Sequence, residues 1–340
     1  MLAAGLRAGL RAGLWAGLWA GLRAGLRGGI DQGRVAQCRA PSNSFSRSHS
    51  LTQAAAHTHI IRRGFKHRGA FCLEQNRKVE KSNVITEKIG TIITIGINRP
   101  EIRNAVNKKT AQHLLDAFTA FERDKSLTAA VLHGTGGNFC AGYDLKELAQ
   151  VALPVKFEQD VTREPGPLGP SRMQFSKPVL AAVSGYAVAG GMELSLLADL
   201  RIVEQSAIMG VFCRRFGVPL IDGGTVRLPK LIGLSRAMDL ILTGRPIGAQ
   251  EAYEFGLANR IVPDGQALQH AIKLAEQIST FPQQCLVADR ASAYYSTFNA
   301  SSFTEAMQFE FDNAKHAILE EAIPGAERFS SGAGRSGIFT

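Results

Sequence analysis

Glu193 stands three residues beyond the first of two adjacent glycines in the stretch 177–210, KPVLAAVSGYAVAGGMELSLLADLRIVEQSAIMG. The apolar run Pro178 to Val183, bounded by a proline and a Ser-Gly pair, reads as a buried strand. A loop carrying Gly185, Gly190 and Gly191 follows, and then an apolar segment, Met192 to Ala198, closed by Asp199. A strand, a glycine turn and a helix start leave backbone N–H groups unpaired where negative charge can be stabilised. A carboxyl group beside such a site can move protons. The alternative is a first-turn glutamate that only complements the helix macrodipole.

A second glycine loop, 134–142, follows the strand expected at Ala129 to His133 and continues into Tyr143-Asp144-Leu145. Gly137 and Gly142 have P-loop spacing, but Tyr143-Asp144 stands where Lys-Ser/Thr is required. No GxGxxG follows a strand, so nucleotide-phosphate sites are excluded. The cysteines Cys38, Cys72, Cys140, Cys213 and Cys285 form no CxxC pair and no metal-ligand spacing, which leaves no metal site and no disulfide framework.

The elements that must hold these loops follow an α/β pattern. Val84 to Thr86 and Thr91 to Asn98 read as a hairpin around Gly90. Apolar spacing over Lys108 to Arg123 predicts a helix. Strand and helix signals then alternate up to Pro263, as in sheets wrapped by helices. Beyond it only helical patterns remain, at Ala267–Ile278, Cys285–Tyr295 and Ser302–Leu319. The Gly/Ser-rich end, Ser330 to Thr340, is expected to be mobile.

The net charge of +10 is confined to the N-terminal part, because residues 1–70 hold eleven Arg/Lys and one acid while the remainder holds twenty-eight of each sign. A neutral remainder removes the case for nucleic acid. Residues 5–28 repeat Gly-Leu-Arg/Trp-Ala, and this period turns the arginines around a helix so that no single basic face persists. The uncharged run Ala12 to Leu22 is too short for a membrane span, which takes ~20 residues. An Arg-rich, Ser-containing, acid-poor leader has the composition of an organelle-targeting peptide, with Arg62-Arg63-Gly64-Phe65 near a processing site. The alternative is a basic tail without structure.

NRPEIRNAVN (98–107), GGNFCAGYDLKEL (136–148) and KPVLAAVSGYAVAGGMELSLLADLRI (177–202) stand in the order and spacing of the crotonase family, the enoyl-CoA hydratases and isomerases. LTGRPIGAQEAYEFGLANRIVP (242–263) resembles the next landmark of that family, and the similarity spans about residues 80–325. The resemblance implies an α/β, crotonase-like spiral of repeated ββα units with a C-terminal helical trimerisation region. It divides the chain into a leader (1–75), an acyl-CoA-binding core (76–265), a helical region (266–329) and a tail (330–340). It also implies a homotrimer or hexamer, for which the apolar stripe Phe303, Met307, Phe311 is suited, although an internal core would use it equally well.

By the same resemblance, the N–H groups of Tyr143 and Gly190 bind the thioester oxygen as it becomes an enolate, and Glu193 is the principal acid/base. Arg103, Ala105, Ala141, Asp144, Leu145, Lys146 and Gly191 fall at substrate-binding positions. Arg103 and Lys146 would meet the phosphates or adenine of CoA, or else be solvated surface charges. The second glutamate of the hydratases falls at Cys213. Arg214 and Arg215 beside it would lower its thiol pKa, unless it is a buried structural cysteine. Asp222 lies near a position where some dienoyl-CoA isomerases of the family place an aspartate. The alternative is a cap for a helix at Gly223-Gly224-Thr225. Asp144 similarly either caps Leu145–Leu148 or faces the pocket. The expectation is a mitochondrial-matrix hydratase/isomerase-type enzyme with no cofactor beyond the CoA of its substrate and no membrane span. The competing expectation is a crotonase-fold acyl-CoA-binding or regulatory protein without catalysis.

Overall fold

The computed structural model describes residues 82–151 and 160–334, all of them within one compact unit. The leader, the boundary at residue 75 and most of the tail lie outside the described residues.

The chain opens with an antiparallel hairpin, β1 (Val84–Ile89) and β2 (Ile92–Ile97). Its turn is made by Gly90 at φ 58°, in the left-handed region that glycine enters at no steric cost. Helix α1 (Lys108–Arg123) follows, capped by Asn107, whose side chain accepts from Thr110 N at 2.9 Å, an arrangement typically worth ~1 kcal/mol. Next come β3 (Ala129–Gly134), the short helix α2 (Leu145–Leu148), β4 (Val179–Val183) and β5 (Tyr186–Val188). Helix α3 (Gly190–Ser195) leads to β6 (Leu200–Glu204) and β7 (Ile208–Gly210). Then follow α4 (Gly224–Ile232), α5 (Leu234–Thr243), β8 (Ile247–Gly248), α6 (Ala249–Glu254) and β9 (Arg260–Val262). The C-terminal helices are α7 (Ala267–Ser279), α8 (Gln283–Phe298), α9 (Phe303–Ala317) and α10 (Ile323–Ser330).

Six strands form one sheet in the order β1-β2-β3-β4-β6-β9, and all pairs after the first hairpin are parallel. A parallel sheet is covered on both faces, which is why its strands read as unbroken apolar runs. Alternate residues serve opposite cores. Ala130, Leu132, Val179, Ala181, Val183 and Val203 pack towards α1 and the loops. Ala129, Val131, Leu180, Ala182 and Ile202 pack against Ala267, Ala271, Leu274 and Ala275 of α7. Thus α7 belongs to the core sheet, and only α8 to α10 extend beyond it. A second sheet, β5-β7-β8, stands beside the first.

Two details bear on function. Gly190 and Gly191 are the first two residues of α3, so Gly190 N stands at the helix start, as the family resemblance implies, and the loop before them contains β5. Helix α8 is tied back to the core by Arg290, which pairs with Asp199 at 3.0 Å, and by Tyr294 Oη, which donates to Asp199 at 2.8 Å. On α9, Phe303, Met307 and Phe311 are all exposed.

Candidate active site

The turn between β5 and α3 is set by the second sheet. β5 pairs with β7, and Ala189 N extends the ladder by donating to Gly210 O at 2.8 Å. Ala189 is thereby held at φ 53°, ψ −127°, a conformation that costs a non-glycine residue on the order of 1–3 kcal/mol and persists only where its surroundings impose it. It aims the N–H groups of Gly190 and Gly191 outward at the helix start. Gly191 packs so closely on Cys140 O that a Cβ could not be accommodated.

The other glycine loop is drawn against this turn from both sides. Phe139 N donates to Ser184 O, Cys140 N to Tyr186 O and Val188 N to Cys140 O. Gly142, at φ 96°, lies so near α3 that a Cβ on it would sit 2.8 Å from Gly190 N. Beyond it, Val106 bridges to Tyr143, with Val106 N donating to Gly142 O and Asp144 N to Val106 O. That pattern turns the Tyr143 N–H away from the Val106 side. Among the described residues neither Tyr143 N nor Gly190 N meets a protein acceptor. Two unpaired N–H groups on adjoining, rigidly bonded turns can bind an oxygen that gains charge.

Glu193, one turn into α3, is 3% exposed. Its Oε1 accepts from Gly224 N at 2.8 Å and Asp222 N at 3.0 Å. Gly224 has to be glycine here, because a Cβ would stand 2.9 Å from Glu193 Cγ. Burial pushes the Glu193 carboxyl up to about 7, against the pull of Gly224 N–H, with the charge of Asp222 adding to the rise. At neutral pH it therefore exists in both forms, which is the condition for efficient general acid–base work.

Asp222 is 4% exposed and lines the same cavity. It is not a helix cap. The N-cap of α4 is Gly223, and Asp222 Oδ1 instead accepts from Leu168 N at 3.0 Å and from Ser171 Oγ. Burial also raises its pKa, opposed first by the Ser171 hydroxyl. Cys213 faces the cavity too, but its thiol is raised by burial and by Glu193, with Arg214 opposing. Burial outweighs Arg214, and the guanidinium groups of Arg214 and Arg215 bond Ile241 O and Gly244 O, so Cys213 is a buried structural cysteine rather than an activated thiol.

The cavity has a volume of about 1120 Å³. Ala141, Tyr143, Leu145, Gly190, Glu193 and Asp222 all line it. Gly191 is not among the described lining residues and packs on Cys140 O instead. Arg103, Ala105, Asp144 and Lys146 are not among the described lining residues. Arg103 stacks on the Tyr186 ring at 5.1 Å, and Ala105 O accepts from Arg99 Nη1. Asp144 caps α2 by accepting from Lys146 N and pairs with Arg99 at 3.2 Å. The 98–107 motif thus acts here through residues that sequence reasoning passed over. Buried Asn104 donates from Nδ2 to Thr135 O and Asn138 O, and with Arg99 it clips the motif to the glycine loop. Among the described residues, the basic groups at the cavity are Lys108 and Arg172. Among the described residues no three His, Cys, Asp or Glu side chains could hold a metal ion, and no helix is long and apolar enough to cross a membrane.

Residues 87–329 match the family model described as enoyl-CoA hydratase/isomerase. Enoyl-CoA hydratase EchA19 of Mycobacterium tuberculosis is 37% identical over 204 residues, covering 58% of this chain and 74% of that protein. A probable mitochondrial enoyl-CoA hydratase of Dictyostelium discoideum is 36% identical over 198 residues, covering 58% and 70%. Among solved structures, an enoyl-CoA hydratase from Mycobacterium tuberculosis superposes with a TM-score of 0.67 at 35% identity, covering 74% of this chain and 96% of that one.

Proposed function

The chain belongs to the enoyl-CoA hydratase/isomerase family, and from that premise we propose that Glu193 and Asp222 move the protons of an acyl-CoA thioester whose carbonyl oxygen rests on Tyr143 N–H and Gly190 N–H. The observation that carries it is the convergence of two buried carboxyl groups, one from α3 and one from the loop before α4, on the cavity that holds both unpaired N–H groups. In hydration, the Asp222 carboxylate takes a proton from a water molecule as its oxygen bonds to Cβ. The thioester becomes an enolate, and Glu193 in its acid form gives a proton to Cα. In isomerisation no water adds, and the same two groups remove a proton from one carbon of the allylic system and return one to another. Both routes pass through an enolate, so both draw on the same two N–H donors. Neutral Cys213 supplies no base, which is why the second proton is assigned to Asp222.

Incubation of the protein in deuterated water with 2-enoyl-, 3-enoyl- and dienoyl-CoA esters, read by mass spectrometry, tests this. The expected result is gain of water, or solvent deuterium at Cα, for at least one ester, with Cys213→Ala behaving like the parent. No product and no exchange with any ester would reject it.

The basic leader and the mitochondrial relative support import into the mitochondrial matrix, and the exposed Phe303, Met307 and Phe311 support a trimer or hexamer. Light scattering that gives a monomer at micromolar concentration would overturn the assembly. Retention of the leader on protein recovered from mitochondria-free fractions would overturn the location.

A further inference from the structure

Asp222 is held by a set of contacts that its own loop does not supply. Leu168 N and Ser171 Oγ both donate to Oδ1, and both come from the loop 164–172. Arg227, in the first turn of α4, then ties that loop to the acid. Its Nη2 donates to Ser171 O at 2.8 Å and its Nη1 to Asp222 O at 3.2 Å. The backbone is adapted to these contacts. Gly223, at φ 95°, has no Cβ where the Arg227 guanidinium lies, and Gly166 has none where Ser171 Oγ lies. Ser171 is 1% exposed, so its hydroxyl does not exchange this partner for water. With Oδ1 doubly occupied, Oδ2 is the oxygen left for the cavity, and it meets no protein donor among the described residues.

Resting on the assignment of Asp222 as an acid/base, we propose that Ser171 and Arg227 are its positioning residues, clamping two loops so that one carboxylate oxygen is fixed towards the substrate. The charged and titratable groups around Asp222 are Glu193 from α3, Cys140 and Tyr143 from the glycine loop, Arg172 from its own clamp loop and Arg227 from α4. Burial raises the Asp222 pKa, while the Ser171 hydroxyl, Leu168 N–H, Arg172 and Arg227 oppose the rise in that order. Ser171 therefore both aims the group and favours its ionised form, whereas Arg227 aims it through two carbonyls and adds a positive charge. The two effects separate experimentally. Losing the hydroxyl moves the titration upward. Exchanging arginine for lysine keeps the charge but loses the planar two-carbonyl bridge.

The test uses the full chain and the ester turned over fastest, with kcat, KM and the pH profile of kcat measured for Ser171→Ala, Arg227→Lys and Arg227→Gln. Ser171→Ala is expected to lower kcat about 10- to 100-fold, the scale of a small misplacement of a reacting group, with KM changed less than about threefold. Its pH limb that rises as Asp222 ionises moves to higher pH. Arg227→Lys lowers kcat without moving the limb, and Arg227→Gln does both. In the Asp222→Asn background Ser171→Ala has no further effect on kcat, as coupled residues require. Thermal unfolding of each variant verifies that it is folded, and Arg227→Lys carries the test if Ser171→Ala is not. An unshifted limb with unchanged kcat in both Ser171→Ala and Arg227→Lys, in a protein that Asp222→Asn impairs, overturns the clamp alone. So does an equal loss from Ser171→Ala in both backgrounds. Full activity in Asp222→Asn removes the underlying assignment, and the clamp with it.

Discussion

Glu193→Gln is expected to lower turnover about 10³-fold and, in the same molecule, to raise thermal stability above neutral pH. The loss of activity follows from the chemistry of the group. A glutamine keeps the shape, and its amide oxygen still accepts from Gly224 N and Asp222 N, but an amide can neither take nor release a proton at Cα. General acid–base catalysis typically contributes 10²- to 10⁴-fold, and the remaining rate would come from the two N–H donors and substrate binding.

The gain in stability follows from burial. The folded-state pKa of Glu193 is raised from 4.5 to about 7. The native state therefore binds the proton more tightly than the unfolded chain does. The stabilisation belonging to the neutral carboxyl is fully present below about 4.5 and is lost as pH rises through about 7. Above that pH the protein holds an ionised group in a buried site, at a cost of up to about 3 kcal/mol. Glutamine carries no such charge. Melting temperatures of the two proteins at about pH 5 and about pH 8 check the account. The variant should gain on the parent at the higher pH, a gain that includes relief of the charge coupling between Glu193 and Asp222. Parallel pH dependence would show that Glu193 is not buried as a neutral acid, and turnover within about tenfold of the parent would remove it as the acid/base.

Much of the frame was readable because a two-sided parallel sheet writes itself into sequence as unbroken apolar runs. On that basis the runs Ala129 to His133 and Pro178 to Val183 match β3 and β4 to within one residue. What escaped depends on distance along the chain. Sequence leaves Asp222 open between an acid/base partner and a cap for the residues beside it, because the donors that decide the matter, Leu168 and Ser171, are 54 and 51 residues away. Cys213 reads either as a thiol activated by adjoining Arg214 and Arg215 or as a buried structural cysteine, and the second holds because burial prevails and a 3₁₀ turn sends both arginine side chains elsewhere. Arg227 lay in plain view within GGTVRL, but no local signal reveals that its guanidinium spans two carbonyls of different loops. Glycine spacing alone reads Gly191 as loop for a related reason, whereas the family motif puts Gly190 at the helix start. Glycine disfavours helix interiors, whereas here it opens α3 because Cys140 and Leu168 crowd the first turn.

Gly142→Ala should lower kcat about 10²- to 10³-fold, the usual effect of losing one oxyanion donor, because this glycine separates the two N–H groups without belonging to either. A Cβ there would stand 2.8 Å from Gly190 N, 3.0 Å from Ala189 Cβ and 3.2 Å from Val188 O. None of these is the far end of a flexible side chain, so relief requires the Tyr143 backbone and the start of α3 to move apart. The substitution also places alanine at φ 96°, which costs stability of its own. The two effects separate by comparison with Gly137→Ala in the same loop. Gly137 has φ 81° and nothing within 4 Å of a built Cβ. It therefore carries a comparable backbone penalty without the contact. Both variants should melt lower than the parent, but only Gly142→Ala should lose turnover per folded molecule, measured well below both melting temperatures. Equal turnover in the two variants would mean that the spacing between Tyr143 N and Gly190 N does not set the rate, and the oxyanion hole would have to be sought elsewhere in the cavity.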